Sequence, residues 1–490
     1  MFALVDAVNY YVWEFVLVYG LVGVGLYFTI RLRALQFLHF GEMIRCIRGA
    51  RGTDAAGISP FQAMCTTLAS RVGTGNIAGV AVALYLGGPG AIFWMWVVAL
   101  VGMATAFAES TLAQLYKTVN EDGQYRGGPA FYISKGLGLP WLGAIFCVFL
   151  IFAFGLVFNA VQANSIAEAF EGAYGLPRVG VGLVLAALAG IVIFGGIRQI
   201  ARVAELTVPF MAAAYVLLAL FIVVTNISAV PGVLSDIVLS AFGLREAAGG
   251  ITGGVMAALL NGVKRGLFSN EAGMGSAPNA AANATPHPHH PASQGFVQSF
   301  AVFVDTIVIC TATALMILLA GILEPGSGLT GTPLTQAAMA VHIGDWGNDF
   351  IAIAILFFAY TSIIANYAYA ENAMNFLRLG NRLGLTAIRS LVLVMVVWGS
   401  VQPAVTVFEV ADASMGLMAS INLVAIVLLS GTVAMLTRDY LRQRASGLEP
   451  QFDVADHPEL AKKVNTTIWQ RRNVPPRIED IRPQGKQTAF

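Results

Sequence analysis

Residues 66–79 of this chain read TTLASRVGTGNIAG, and they interrupt a run that is otherwise apolar enough to cross a membrane. A helix in lipid must satisfy its own backbone N–H and C=O groups, because hydrocarbon offers no partner. The segment Gly73–Asn76 disfavours a continuous helix through its two glycines and its side chains that compete for backbone hydrogen bonds. We therefore predict a helix that breaks within the membrane. Free backbone groups at that depth line a cavity or hold a ligand, which points to transport.

The composition places most of the chain in lipid. Hydrophobic residues make up 57% of its 490 residues and charged residues 11%, whereas soluble proteins carry about 25% charged residues. The formal net charge of +1 gives no reason to expect a nucleic-acid partner. The four cysteines have no CxxC spacing, so we expect neither a disulfide nor a metal site from them.

Eleven apolar stretches are long enough to span a bilayer, which takes about 20 residues. They are 11–30, 58–84, 90–116, 141–170, 180–197, 205–226, 251–279, 295–321, 349–377, 386–402 and 405–436. With the N-terminus outside, thirteen Lys and Arg residues fall in inner loops and two, Arg178 and Arg245, in outer loops. This bias supports eleven spans, an external N-terminus and a cytoplasmic tail.

A second span, five spans after the first break, also looks interrupted. It contains the run GVKRGLFSNEAGMGSAP at 262–278, with four glycines and a proline. Two interruptions at matching positions of two five-helix halves are typical of transporters built from inverted repeats. The run also contains Lys264 and Arg265, and Arg71 lies in the first break; a charge within a span indicates a functional site or a buried ion pair. For Arg71 we expect Glu271 or Glu109 as the partner.

The chemistry of such breaks suits a zwitterion and a cation. The half-helix that begins after Gly73–Gly75 presents N–H groups and a positive dipole end to a carboxylate. The half-helix that ends near Ala69–Val72 presents carbonyl oxygens, which suit Na⁺. The ammonium of an amino acid would find acceptors in amide and hydroxyl side chains, and Phe268 would wall the cavity. These candidate acceptors are Asn76, Gln162, Ser269 and Asn270.

Three long motifs resemble the sodium:alanine symporters, also called alanine or glycine:cation symporters. They are VGTGNIAGV at 72–80, GGPGAIFWMW at 87–96 and RGLFSNEAGMGSAP at 265–278. The resemblance covers roughly residues 25–440. It implies an all-α membrane protein with a LeuT-like five-plus-five inverted repeat after one extra N-terminal helix. It also implies Na⁺-coupled uptake of a small neutral amino acid across a bacterial inner membrane, with no cofactor and no obvious protein partner.

Carried over by position, the resemblance implies two sets of binding residues. The substrate set is Thr74, Gly75, Asn76, Gln162, Phe268, Ser269 and Asn270, and the Na⁺ set is Ala69, Val72, Thr361 and Ser362. The chain departs from the family pattern at YAYAE in 367–371, where we expect Tyr-Tyr-Gly-Glu. The resemblance therefore does not decide which side chains of this helix line the cavity.

The predicted organisation has five parts. They are an N-terminal helix and linker (1–57), a first five-helix repeat (58–226), an external loop with a short helix (227–250), a second repeat (251–437) and a polar tail (438–490). H⁺ coupling or a preference for glutamine remains an alternative, as does an ion channel, although no filter loop stands out. An intramembrane enzyme would need a motif such as His-Glu-x-x-His, and none occurs.

Overall fold

The structure, a computed structural model, describes residues 2–48, 52–244, 254–324 and 327–470. Helices account for nearly all of its regular structure. Numbered in chain order, the main ones are α1 (Val5–Arg31), α2 (Phe40–Arg48), α3 (Pro60–Arg71), α4 (Val80–Gly87), α5 (Gly90–Leu115), α6 (Pro140–Tyr174), α7 (Arg178–Ile193), α8 (Gly196–Thr225), α9 (Val230–Ala241), α10 (Gly254–Asn270), α11 (Pro278–Ala281), α12 (Pro291–Ala320), α13 (Gly331–Ile343), α14 (Trp346–Phe376), α15 (Arg382–Val401), α16 (Ala404–Leu428) and α17 (Ser430–Ala445).

Smaller elements complete the described chain. Short helices occur at Leu35–Leu38, Pro129–Phe131 and Val454–Asp456, and two strands, β1 (Thr118–Val119) and β2 (Tyr125–Arg126), pair antiparallel. Stretches of π-helix lie at Tyr10–Leu17, Gly75–Gly79, Tyr132–Gly136, Ile151–Val157 and Phe303–Cys310. Such wide turns frequently occur at functional sites, and two of these stretches lie beside the breaks described below.

Eight helices in the described part of the chain are long and apolar enough to cross a membrane: α1, α5, α6, α8, α12, α14, α15 and α16. Three predicted spans are not among them. The stretches 58–84 and 251–279 are broken, and α7, which overlaps the predicted span 180–197, has only 16 residues. The fold is therefore a polytopic helical bundle as predicted, while the total of eleven spans stays a prediction.

The second break begins later than the sequence indicated. We expected Gly262 and Gly266 to interrupt the helix, but α10 runs unbroken through both and ends at Asn270. A Cβ atom on Gly262 would lie 2.4 Å from the carbonyl oxygen of Ala91 on α5. This glycine therefore serves close packing of α10 on α5 instead of breaking the helix, which is a common use of small residues between membrane helices.

Three groups of helix contacts place the two breaks at the centre of the bundle. Helix α5 packs against α10 and α12, and α6 packs against α14 and α15. Helix α3, which ends at the first break, packs against α8 and α14. In the predicted external loop 227–250, α9 supplies the short helix, whereas Gly249-Gly250 and the first residues of the predicted second repeat lie outside the described residues.

The predicted polar tail is packed onto the bundle over its described part. Helix α17 continues through residue 438, where the tail was expected to begin. Beyond it, Trp469 is fully buried and its indole Nε1 donates to the carbonyl of Leu115 at 2.9 Å. The amide of Phe452 donates to the carbonyl of His289 at 2.9 Å, and Lys463 Nζ donates to that of Gly136 at 3.1 Å.

Candidate functional site

The first predicted break is present at Val72. Helix α3 starts at a capping box between Ser59 and Gln62 and ends at Arg71. Val72 then leaves the helical region, with φ −76° and ψ 84°, and the π-helical stretch Gly75–Gly79 resumes the path. The freed N–H of Gly73 donates to Asn76 Oδ1 at 3.0 Å, so the asparagine side chain stabilises the break.

Gln162, on α6, is held against this break. Its Oε1 accepts hydrogen bonds from both the backbone N–H and the hydroxyl of Thr74, at 2.9 and 2.8 Å. Both residues are buried, and a Cβ atom on Gly73 would lie 2.8 Å from the same Oε1. Gln162 Oε1 thus lies where the oxygen of a ligand could accept hydrogen bonds from the N–H and the hydroxyl of Thr74.

The second break follows Asn270. Glu271, Gly273 and Gly275 have φ values of +55°, +88° and +83°, so the chain turns through left-handed conformations that only glycine adopts without strain. Glu109 Oε1 accepts from the N–H of Gly273 at 3.2 Å. The helix that follows, α11, has four residues, so the far side of this break is mostly loop.

The helix segments beside the two breaks are in contact with each other. A Cβ atom on Gly75 would lie 3.1 Å from both the Phe268 ring and the Cα of Ser269, a tight contact that favours glycine at this approach. A buried carboxylate, Asp305, bridges the two sides: it accepts from Asn76 Nδ2 at 2.8 Å and from Ser269 Oγ at 2.7 Å. Residues beside both breaks therefore surround one small volume.

Aromatic rings close one side of this volume. Phe268 stacks on Phe158 of α6, with ring centroids 4.8 Å apart and planes 18° apart, and lies 5.6 Å from the ring of Phe408. Phe158 precedes Gln162 by one helical turn, so the two side chains lie on the same face of α6. The side chains here limit the space for a bound molecule.

The predicted ion set is partly assembled. Ser362 Oγ donates to the carbonyl of Ala69 at 2.8 Å, and a Cβ atom on Gly73 would lie 2.3 Å from that Oγ. These contacts join α14 to the last turn of α3, directly before Val72. The hydroxyl of Thr361 contacts Phe358 O at 2.9 Å and the sulfur of Met211 at 4.0 Å. The structure brings Ser362 to the carbonyl groups, while the contacts of Thr361 are elsewhere.

Most of the predicted substrate residues lie together in the structure, and one of them does not. Thr74 and Gln162 are bonded to each other, Gly75 contacts Phe268 and Ser269, and Asn76 shares Asp305 with Ser269, as described above. Asn270 is the exception, because its Oδ1 accepts from the N–H of Ala272 within its own loop at 3.0 Å. Its Nδ2 is buried without a partner.

Arg71 does not form the direct ion pair expected for it, whereas Lys264 and Arg265 share one carboxylate partner. Among the ion pairs of the described residues none includes Arg71; its Nη1 donates to Gln298 Oε1 at 3.4 Å instead of to Glu271 or Glu109. The position of Gln298 on another helix, α12, could not be foreseen from the sequence. Lys264 and Arg265 both bind Asp412 of α16, at 2.8 and 2.5 Å.

Two residues of the site were missed by sequence reasoning. Asp305 is a charged residue within an apolar run, and that signal was available, but nothing indicated that it would bridge the two breaks. Phe158 looked like one of many aromatic residues in a membrane helix. Its spacing of four residues from Gln162 was the signal that could have placed it in the site.

Comparison with protein families gives a match over nearly the whole chain. The model of the sodium:alanine symporter family matches residues 1–454. The "Amino-acid carrier protein AlsT" of Bacillus subtilis (strain 168) is 48% identical over 468 residues, covering 96% of this chain and 97% of AlsT. The "Probable sodium/glutamine symporter GlnT" of the same organism is 48% identical over 450 residues, covering 92% of each chain.

A solved structure shows the same fold at low sequence identity. The crystal structure of MhsT in complex with L-phenylalanine superposes with a TM-score of 0.54 at 14% identity. The match covers 79% of this chain and 93% of MhsT. MhsT has the LeuT fold, so the predicted fold class is confirmed.

Proposed function

Because this chain belongs to the sodium:alanine symporter family, we propose that it carries a small neutral amino acid of the alanine or glycine type into the cell together with Na⁺, by alternating access. The chain is a membrane transporter and not an enzyme. The observation that carries the proposal is the contact between the two helix segments that flank the breaks, at Gly75 after the first break and Ser269 before the second, in the interior of the bundle.

The amino-acid carboxylate is the group that fits the first break. The N–H and hydroxyl of Thr74 both donate to Gln162 Oε1, which holds the place of an anionic oxygen at the start of a half-helix. A carboxylate that takes these two donors releases Gln162 Oε1, and that oxygen can then accept from the substrate ammonium. Asn76, Ser269 and Asn270 add further polar groups around the ammonium.

The aromatic rings favour a small side chain. Phe268 lies between Phe158 and Phe408 and against Gly75, so a substrate bound beside it has space for few carbon atoms. Packed interiors resist added volume, and a larger side chain would need these rings to move. Glutamine, named for the relative GlnT, is therefore the second candidate.

The Na⁺ ion fits between α3 and α14. We assign it to the carbonyl oxygens of Ala69 and Val72 with the hydroxyls of Thr361 and Ser362, a set of hard oxygen ligands. The hydrogen bond from Ser362 Oγ to Ala69 O, at 2.8 Å, already brings together one proposed oxygen ligand from each helix. Thr361 would have to turn its hydroxyl from Phe358 O to join them. H⁺ as the coupling ion is the alternative.

We also propose the organisation that the sequence predicts. Residues 58–226 and 251–437 form the two repeats, residues 1–57 precede them, and the tail 438–490 follows. The Lys and Arg bias places the N-terminus outside and the tail in the cytoplasm of a bacterial cell.

A counterflow assay in proteoliposomes tests the proposal. Vesicles loaded with alanine should accumulate labelled alanine from outside when Na⁺ is present and not when choline replaces it. Unlabelled glycine should compete, and glutamine should compete less. Uptake that does not saturate would favour a channel, and uptake that responds to pH but not to Na⁺ would favour H⁺ coupling.

A further inference from the structure

Glu271 occupies a position between the substrate residues and the ion residues. It is the first residue of the second break, two residues after Ser269, and it is 1% exposed. Its carboxylate is bonded to two serine hydroxyls: Ser70 Oγ at 2.6 Å from Oε1 and Ser276 Oγ at 2.5 Å from Oε2. Ser276 belongs to the same break, whereas Ser70 belongs to α3.

The hydrogen bond between Glu271 and Ser70 connects Glu271 to the proposed Na⁺ ligands. Ser70 follows Ala69, whose carbonyl is one of the proposed Na⁺ ligands, and its hydroxyl also lies 2.6 Å from Asn366 Oδ1. Asn366 is one helical turn beyond Ser362 on α14. The Ser70 hydroxyl on α3 thus lies between Glu271 of the second break and Asn366 of α14, the other helix beside the proposed ion position.

The opposite side of the second break has a separate anchor. Glu109 Oε1 accepts from the N–H of Gly273, and Asn422 Nδ2 donates both to Glu109 Oε2 and to the carbonyl of Gly273. These bonds attach the loop to α5 and α16 and do not involve α3. Glu271 is therefore the side chain that connects this break to the helix carrying the proposed ion ligands.

From this arrangement we propose that Glu271 is a positioning residue that couples Na⁺ binding to amino-acid binding, a proposal that rests on the function proposed above. Na⁺ between α3 and α14 fixes Ser70 beside Asn366, and in that place Ser70 completes the bonds of the buried Glu271 carboxylate. Glu271 in turn sets the position of Ser269 and Asn270. If α3 and α14 separate, the buried carboxyl group of Glu271 loses one of its two serine hydrogen bonds, which is costly for a buried polar group, and the substrate residues lose their support.

The two serines offer a matched test on one carboxylate. Ser70→Ala removes the bond to α3, and Ser276→Ala removes a bond of the same kind within the loop. The measured quantity is the alanine dissociation constant of the purified protein in choline divided by that in saturating Na⁺. We expect a ratio of about tenfold or more for the wild type, within the usual range of coupling between sites, less than about threefold for Ser70→Ala, and a ratio within about twofold of the wild type for Ser276→Ala.

Saturating Na⁺ removes any effect of the substitutions on Na⁺ affinity itself, so the ratio reports coupling. The reciprocal measurement provides a second reading, because alanine must tighten Na⁺ binding by the same factor that Na⁺ tightens alanine binding. A wild-type ratio near one would contradict the proposed symport. A normal wild-type ratio that Ser70→Ala leaves unchanged, or that both variants reduce equally, would overturn the role of Glu271 alone.

Discussion

Gly73 lies between the two proposed binding sites, and its replacement by alanine gives the sharpest test of their geometry. A Cβ atom at this position would lie 2.3 Å from Ser362 Oγ and 2.8 Å from Gln162 Oε1. Ordinary contacts begin at 3.4 Å, so the first distance is about 1.1 Å too short. Ser362 has a short side chain, and it can avoid the methyl group only by leaving the carbonyl of Ala69.

The expected cost follows from that displacement. An added methyl group in a packed interior typically costs about 1–3 kcal/mol. We assign most of this cost to the state in which Ser362 binds Na⁺, which predicts that the half-saturating Na⁺ concentration for alanine uptake rises by about tenfold or more in Gly73→Ala. The assay is uptake into proteoliposomes over a Na⁺ series at fixed alanine.

Gly79→Ala is the control. It lies in the same segment, and its Cβ atom would have Thr74 O as its nearest neighbour at 3.7 Å, an ordinary contact. We expect this variant to keep the wild-type Na⁺ dependence. If Gly73→Ala also kept it while folding normally, Ser362 would not be an ion ligand and the proposed Na⁺ position would be wrong.

Three further predictions concern the substrate, the ion and the tail. Gln162→Ala removes an oxygen that accepts two buried hydrogen bonds, and we expect alanine binding to weaken by about tenfold; unchanged affinity in equilibrium binding would exclude Gln162. Thr361→Val combined with Ser362→Ala should raise the Na⁺ requirement of uptake, and an unaltered Na⁺ titration would reject this ion site. Burial and the nearby Lys117 charge lower the pKa of His289 to about 4 from 6.5. The docked tail is then most stable above pH 6.5 and loses stability as the pH falls toward 4. The fluorescence difference between the wild type and Trp469→Phe should change between pH 7.5 and pH 5, and a constant difference would contradict this linkage.

Sequence reasoning located the first break well and the second one less well, and the reason is the ambiguity of glycine. At Gly73 and Gly75 the glycines stand beside Thr74 and Asn76, whose side chains compete for backbone hydrogen bonds. Gly262 has no such neighbours, and its role depends on the approach of Ala91 from α5. A glycine that ends a helix and one that allows two helices to touch look the same along the chain.

The partners of the buried charges were also beyond the sequence. Arg71 donates a hydrogen bond to Gln298, and its charge acts on Glu109 and Glu271 without a direct ion pair among the described residues. Lys264 and Arg265 share Asp412, which lies more than 140 residues away. A charge in an apolar run indicates that some partner exists, because an isolated buried charge is too costly. The identity of that partner depends on how helices that are distant in sequence pack.

The amino-acid sequence by itself determined that this protein lies in a membrane, that one of its spanning segments breaks at Val72, and, through its motifs, to which family it is similar. These are local properties, because hydropathy, glycine content and side chains that compete for hydrogen bonds act within one segment. Only the tertiary structure decided that the helix segments beside the two breaks touch at Gly75 and Ser269, and that Glu271 reaches Ser70. Those contacts join helices that are some 200 residues apart in the chain, and such pairings depend on the packing of the whole bundle.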